Sequence, residues 1–294
     1  MVHYSKETKM PKFPIVDSHV HLYDIKRFSY GWLAGVPKLN RTYLLDDFDR
    51  ARDTIAVDKI VFAEVAVDPG LHLDEAAFIQ ELADSDPRLC GIVAHLPLEK
   101  GIAVESDIVA LKRLRNLSGV RRLIETERNP AFCLEPKFIA ALRLLPKYDL
   151  TFDICIKHTA MAYALELVRR CPEVTFVLDH IGKPDIKNGL REPWWGQLRE
   201  LARYPNVVCK VSGVITEADH EKWTADQVTP YVSHVLESFG FDRVMYGSDW
   251  TVSELSHNYA DWVEIIDNVV MGASESELHK LYRDTAIRIY HLPS

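Results

Sequence analysis

Two histidines one residue apart, His19 and His21, sit in the apolar run IVDSHVHL. Residues i and i+2 of a strand project to the same side, so two imidazoles at this spacing can hold one ion. Far along the chain, LDHIG carries His180 and YGSDW carries Asp249. Three neutral imidazoles and one carboxylate form a borderline donor set suited to Zn²⁺. With one coordination position open, such an ion lowers the pKa of a bound water from ~15.7 toward ~7. Each residue also has a structural reading. A lone His-x-His on a strand, a buried core histidine and a strand-end aspartate acting as a cap are all common, so the chemistry depends on the fold bringing the four together.

The intervening sequence alternates short β-rich runs with amphipathic stretches. Strands are expected over 15–22, 59–67, 89–96, 120–125, 151–157, 175–181, 207–213 and 244–250. Between them, Val228, Val232, Val235, Leu236 and Phe239 repeat on one helical face, as do Val104, Ile108, Leu111 and Leu114. Ser274-x-x-Glu277 is a capping-box start for a last helix. Eight β/α units without a linker, repeat or low-complexity tract predict an α/β fold, a single (β/α)₈ TIM barrel spanning the 294 residues, with 1–13 as an N-terminal extension. An open doubly wound sheet is the runner-up, but no GxGxxG follows the first strand.

In a barrel, catalytic groups come from the C-terminal strand ends. Strand parity places Asp17, His19 and His21 on one inward face; Asp153, Cys155 and Lys157 on another; and Lys210 with Ser212 and Gly247 with Asp249 on two more. Lysines buried at such positions are costly unless paired or functional. Arg121 and Arg122 end the fourth strand.

The bulk composition agrees with a globular chain. Lys and Arg total 35 against 43 Asp and Glu, a net charge of −8, with 47 % hydrophobic residues. The acidic balance argues against nucleic acid as a partner, and no apolar stretch reaches the ~18 residues of a membrane span. The polar N-terminus lacks a secretory h-region, and five widely spaced cysteines without CxxC read as reduced thiols. A cytoplasmic location is the expectation, with a homo-oligomer left open.

At these motifs the chain resembles the amidohydrolase superfamily. VDSHVHL (16–22) is similar to its first-strand motif and GSDW (247–250) to its last. LDHIGKP (178–184), NVVCKVSG (206–213) with TEAD (216–219), and FGFDRVMYGSDW (239–250) resemble the amidohydrolase-2 branch of lactone hydrolases. That branch includes sugar lactonases acting on fuconolactone- and rhamnonolactone-like substrates, and 2-pyrone-4,6-dicarboxylate lactonase. The resemblance covers nearly the whole chain and implies a hydrolase that opens a small lactone. It assigns His19, His21, His180 and Asp249 as metal ligands, with Asp249 as general base and His180 beside it. The branch includes members that work with Zn²⁺ or another divalent ion and one that works without metal. A cation from Arg121, Lys157 or Lys210 would help polarise the carbonyl. Trp32, Trp250 and Tyr30, with Tyr23, are available to stack on a sugar ring, on or near a first loop from Tyr23 to Asn40 of the length that often covers a site. Two other readings stay open. A metal-dependent decarboxylase of an aromatic acid would enlist His158, and a non-catalytic barrel would only bind a sugar acid.

Overall fold

Eight parallel strands follow one another in chain order around a barrel in the computed structural model, which describes residues 11–293. They are β1 (Ile15–Val20), β2 (Val57–Ala63), β3 (Leu89–His95), β4 (Leu117–Arg121), β5 (Thr151–Ile154), β6 (Phe176–Leu178), β7 (Val207–Val211) and β8 (Val244–Tyr246). Closure between β8 and β1 is made just beyond the strands. The His21 N–H donates to the Trp250 carbonyl at 2.6 Å, and the Asp249 N–H donates to the His19 carbonyl at 3.0 Å. The first and last strands are therefore stitched together at the residues that carry the chemistry. Most of the expected extension over 1–13 lies outside the described residues. Its last residue, Phe13, stacks on His279 with ring centroids 3.8 Å apart.

Helices surround the strands: α1 (Leu45–Arg52), α2 (His72–Ser85), α3 (Glu105–Leu111), α4 (Pro136–Leu142), α5 (Met161–Arg170), α6 (Trp194–Leu201), α7 (Ala225–Phe239) and α8 (Tyr259–Val269). On α7, Val228, Val232, Val235 and Phe239 are buried, the stripe its period predicts. The Ser274 capping box is formed: its hydroxyl accepts from the Glu277 N–H at 3.3 Å, and the Glu277 carboxylate accepts from the Ser274 N–H at 2.8 Å. A cap of this kind contributes ~1 kcal/mol. It starts α9 (Glu275–His279), which runs through a π-helical stretch into α10 (Thr285–Tyr290). Among the described residues no helix is long and apolar enough to cross a membrane.

Two apolar layers result. Val16, Val61, Val93, Val177, Val208 and Met245 fill the barrel interior, closed at the floor by Ile289, Tyr290 and Leu292. Ile15, Val20, Phe62, Phe152, Leu178 and Tyr246 pack outward against the helices. Val16 and Val20 have the same parity yet lie in different layers. The pairing of β1 with β2 is irregular between Asp17 and Val20, and this reverses the alternation. The expectation that Asp17 shares a face with the histidines is thereby corrected. Its carboxylate faces outward, accepting from the Tyr259 hydroxyl of α8 at 2.9 Å and from the Ser248 N–H at 2.9 Å.

One helix carries a buried acid. Glu75 in the first turn of α2 is 1 % exposed, and burial, aided by the nearby Glu64 charge, pushes its carboxyl up to about 8. The folded protein keeps a proton there that the unfolded chain releases above the ordinary range, so Glu75 makes stability fall as pH rises from about 4.5 to about 8. Urea unfolding of wild type and Glu75→Gln should show the difference shifting in favour of the variant across that window, by up to ~1.4 kcal/mol per pH unit. A pH-independent difference would show the carboxyl to be ionised in the fold.

Candidate active site

The C-terminal strand ends bring His19, His21, His180 and Asp249 into one pocket. Asp249 Oδ1 lies 3.3 Å from His21 Nε2, 3.8 Å from His19 Nε2 and 3.8 Å from His180 Nε2. The His19 ring centroid is 4.9 Å from that of His21 and 4.5 Å from that of His180. All four residues are at most 5 % exposed.

Backbone geometry explains the convergence. Val177 points inward on β6, so alternation sends Asp179 inward and His180 outward. The chain instead turns through left-handed conformations at His180 (φ 51°), Ile181 (φ 52°) and Lys183 (φ 47°), swinging the imidazole back over the mouth. Asp249 is left-handed as well, at φ 59°. Such residues cost ~1–3 kcal/mol each and persist only where neighbours over-determine them. Here the Trp194 indole N–H donates to the Ile181 carbonyl at 2.9 Å, and the Lys183 N–H to the His180 carbonyl at 2.9 Å. Glycines leave the necessary space. A Cβ on Gly213, itself at φ +57°, would lie 2.6 Å from both Asp249 Oδ2 and His180 Nδ1, and one on Gly247 would lie 3.0 Å from the His19 Cβ.

Protonation follows from the partners. His21 Nδ1 lies 2.9 Å from the Ala63 carbonyl, which only accepts, so Nδ1 carries a proton and Nε2 is the nitrogen turned to Asp249. His180 Nδ1 lies 3.0 Å from Ser212 Oγ. Burial pushes the His180 imidazole down to about 4, leaving it neutral. His19 is also held well below the ordinary imidazole range, by burial and by the Lys210 charge. Burial alone would raise the Asp249 carboxyl; the positive charge that His180, His21 or His19 takes on when protonated pulls it the other way, below the usual carboxylate range. The donors fit a divalent ion. Ligand atoms around tetrahedral Zn²⁺, at ~2.0–2.2 Å from the metal, stand ~3.3 Å apart, close to the separations seen. His19, His21 and Asp249 each offer a donor atom within 4.8 Å of the others.

Beneath His19 lies a ladder of buried charges. Lys210 Nζ is 2.6 Å from Asp153, 3.1 Å from Asp179 and 3.1 Å from His19 Nδ1. Arg121 donates to Glu64 at 2.9 Å and to Asp179 at 3.0 Å, and its Nη1 is 3.3 Å from His19 Nε2. Tyr290 reaches up from the floor to Asp153 at 2.6 Å. Burial would raise the Asp179 carboxyl, but Lys210, His19 and Arg121 hold it well below the usual carboxylate range.

Several expected residues fall elsewhere. Arg121 and Lys210, foreseen as carbonyl-polarising cations, are 3 % and 0 % exposed and spent on internal carboxylates, so they support His19 from below. Lys157 does not point inward: β5 ends at Ile154, and Lys157 is exposed on the rim. Trp250 is buried between Tyr43 and Phe48, its indole donating to Glu254 at 2.9 Å. Tyr30 is buried against Tyr23. Trp32 alone of that set keeps partial exposure, its indole donating to the Val65 carbonyl at 2.8 Å. His158 bonds the Lys183 carbonyl at 3.1 Å and stays outside the pocket. Asp179, Lys183, Glu125 and Glu217 were not singled out from the sequence. Period two from Val177 would have found Asp179, whereas the others lie beyond strand ends where parity carries no information.

Barrel, strand-end imidazoles and last-strand aspartate together define a metal-capable barrel hydrolase. The amidohydrolase family profile (Amidohydro_2) matches residues 16–292, and the chain belongs to that family. It is 31 % identical over 293 residues to the L-fucono-1,5-lactonase of Burkholderia multivorans, covering 95 % of this chain and 96 % of that one. It is 23 % identical over 337 residues to the L-rhamnono-gamma-lactonase of Scheffersomyces stipitis, covering 96 % and 100 %. An amidohydrolase from Burkholderia multivorans, solved with bound zinc, superposes with a TM-score of 0.87 at 29 % identity over 96 % of this chain and 100 % of that chain.

Two variants test the site without substrate. Lys210→Met leaves Asp153 and Asp179 without their shared cation and should lower unfolding free energy by ~3–5 kcal/mol, read by urea denaturation. A loss below ~1 kcal/mol would mean the ladder is dispensable. Gly213→Ala should weaken zinc affinity at least ~10-fold by displacing Asp249 and His180, read by competition with a chromogenic chelator. Unchanged affinity would show that the close packing against Gly213 does not shape the pocket.

Proposed function

We propose that the protein is a lactonase that opens a small sugar (aldono-) lactone by attack of water on the ester carbonyl. The observation that carries this reading is the Asp249 carboxylate facing the imidazoles of His19, His21 and His180 in one buried pocket. Sequence likeness to curated lactonases over nearly the whole chain supports the substrate class.

His21, His180 and Asp249, with His19, would hold the ion, which we propose to be Zn²⁺. When bound, it would acidify water and polarise the ester carbonyl. Asp249 accepts the proton of the attacking water as the new C–O bond forms. The ring C–O bond then breaks, and the same proton passes from Asp249 to the departing ring oxygen, giving a hydroxy acid. His21 is fixed for this task by its Nδ1–H bond to the Ala63 carbonyl, and His19 by Lys210, Asp179 and Arg121. Five buried free thiols suit a reducing compartment, so cytoplasmic residence belongs to the same proposal.

A pH-indicator assay over aldonolactones checks the reading. Asp249→Asn should fold as wild type does and lose ~10²-fold or more in kcat. Chelation should abolish wild-type turnover, and added Zn²⁺ should restore it. Full activity in Asp249→Asn would remove the base, and turnover indifferent to chelator would remove the ion.

A further inference from the structure

A second group of charged side chains stands beside the catalytic four, and the chemistry above does not use it. Lys183, three residues after His180, places Nζ 2.7 Å from Glu125 Oε2 and 3.9 Å from Glu217 Oε1. Glu125 follows β4, Lys183 follows β6 and Glu217 follows β7, so three strand ends converge on one ammonium at the mouth. Unlike the ladder below, these side chains keep contact with solvent: 15 % for Lys183, 15 % for Glu125 and 22 % for Glu217. The group borders the reacting centre: the Lys183 N–H donates to the His180 carbonyl at 2.9 Å, and Gly213, just before the turn that carries Glu217, packs against Asp249 and His180. Burial, against the pull of Lys183, pushes the Glu217 carboxyl up to about 7, so it both donates and accepts near neutrality.

We propose that Lys183, Glu125 and Glu217 are the hydroxyl-reading part of the site, selecting an uncharged polyhydroxylated lactone and rejecting one that carries carboxylates. This rests on the lactonase reading and deepens it. Carboxylates accept from neighbouring hydroxyl groups, while a lysine between them donates to hydroxyl or ring oxygens. Glu125 and Glu217 face one mouth lysine. The buried cations Arg121 and Lys210 are already engaged by Glu64, Asp153 and Asp179. A substrate carboxylate placed against this part of the mouth therefore meets the Glu125 carboxylate and an ammonium already engaged by it, with exposed Lys157 on the rim as a counter-charge.

The test uses the zinc-loaded full chain and three probes: L-fucono-1,5-lactone, unsubstituted δ-valerolactone and 2-pyrone-4,6-dicarboxylate. Wild type should prefer the hydroxylated lactone to both others in kcat/KM. In Glu217→Gln and Glu125→Gln the preference for fuconolactone over δ-valerolactone should fall about tenfold or more, the size of one lost charge-assisted hydrogen bond. Because the readout is a ratio, a general loss of activity does not imitate it. An unchanged ratio overturns the assignment, as does a wild-type preference for the dicarboxylate, which needs no variant to fold. Absence of turnover on all three probes overturns the lactonase reading beneath it.

Discussion

The structure depends on one electrostatic constraint: a buried carboxylate surrounded by three imidazoles. Asp249 faces His19, His21 and His180 at 3.3–3.8 Å with almost no solvent to screen them. Burial makes a proton on His19 or His180 expensive, which preserves nitrogen lone pairs for an ion. The same burial raises the Asp249 carboxyl, and the pull of any facing ring that takes a proton opposes it.

Holding that arrangement demands support from below and strain above. Below, Lys210 and Arg121 are shared among Asp153, Asp179 and Glu64, and Tyr290 anchors the ladder to the helix that plugs the floor. Buried ion pairs are weak sources of net stability but costly to break, so their effect is to fix His19 in place. Above, the left-handed turn at His180 redirects a side chain that strand geometry would send elsewhere, and Asp249 is left-handed as well. Gly213 and Gly247 provide the close approach these turns need.

How much of this could be read from residues alone follows from where periodicity holds. All eight strands were legible, because alternating apolar runs bounded by helical periods fit a β/α repeat and little else. The shared face of His19 and His21 was legible because His-x-His exploits the same period, whereas His180 reaches the pocket only through the left-handed turn after β6. Parity failed in two kinds of place. Within β1, an irregularity near Asp17 reversed the faces, sending that aspartate to α8. Past the end of β5, Lys157 left the alternation for the rim; Trp250 kept to it, lying in the packing layer opposite Asp249 and so away from the mouth where a stacking ring was expected. Lys210 was placed inside the barrel and Arg121 only at the end of the fourth strand; the acids that occupy both come from other strands, and such pairing is invisible before the fold is known. The mouth cluster of Lys183, Glu125 and Glu217 is spread over loops after three strands, and no local pattern announces it.

The central claim is that His21, His180 and Asp249, with His19, enclose one divalent ion. Diffraction from crystals grown with Zn²⁺, collected on both sides of the zinc absorption edge, tests it most directly. The expected result is a single anomalous peak within ~2.0–2.2 Å of His21 Nε2, His180 Nε2 and the Asp249 carboxylate. An empty pocket at saturating zinc, or an ion bound away from Asp249, would contradict it.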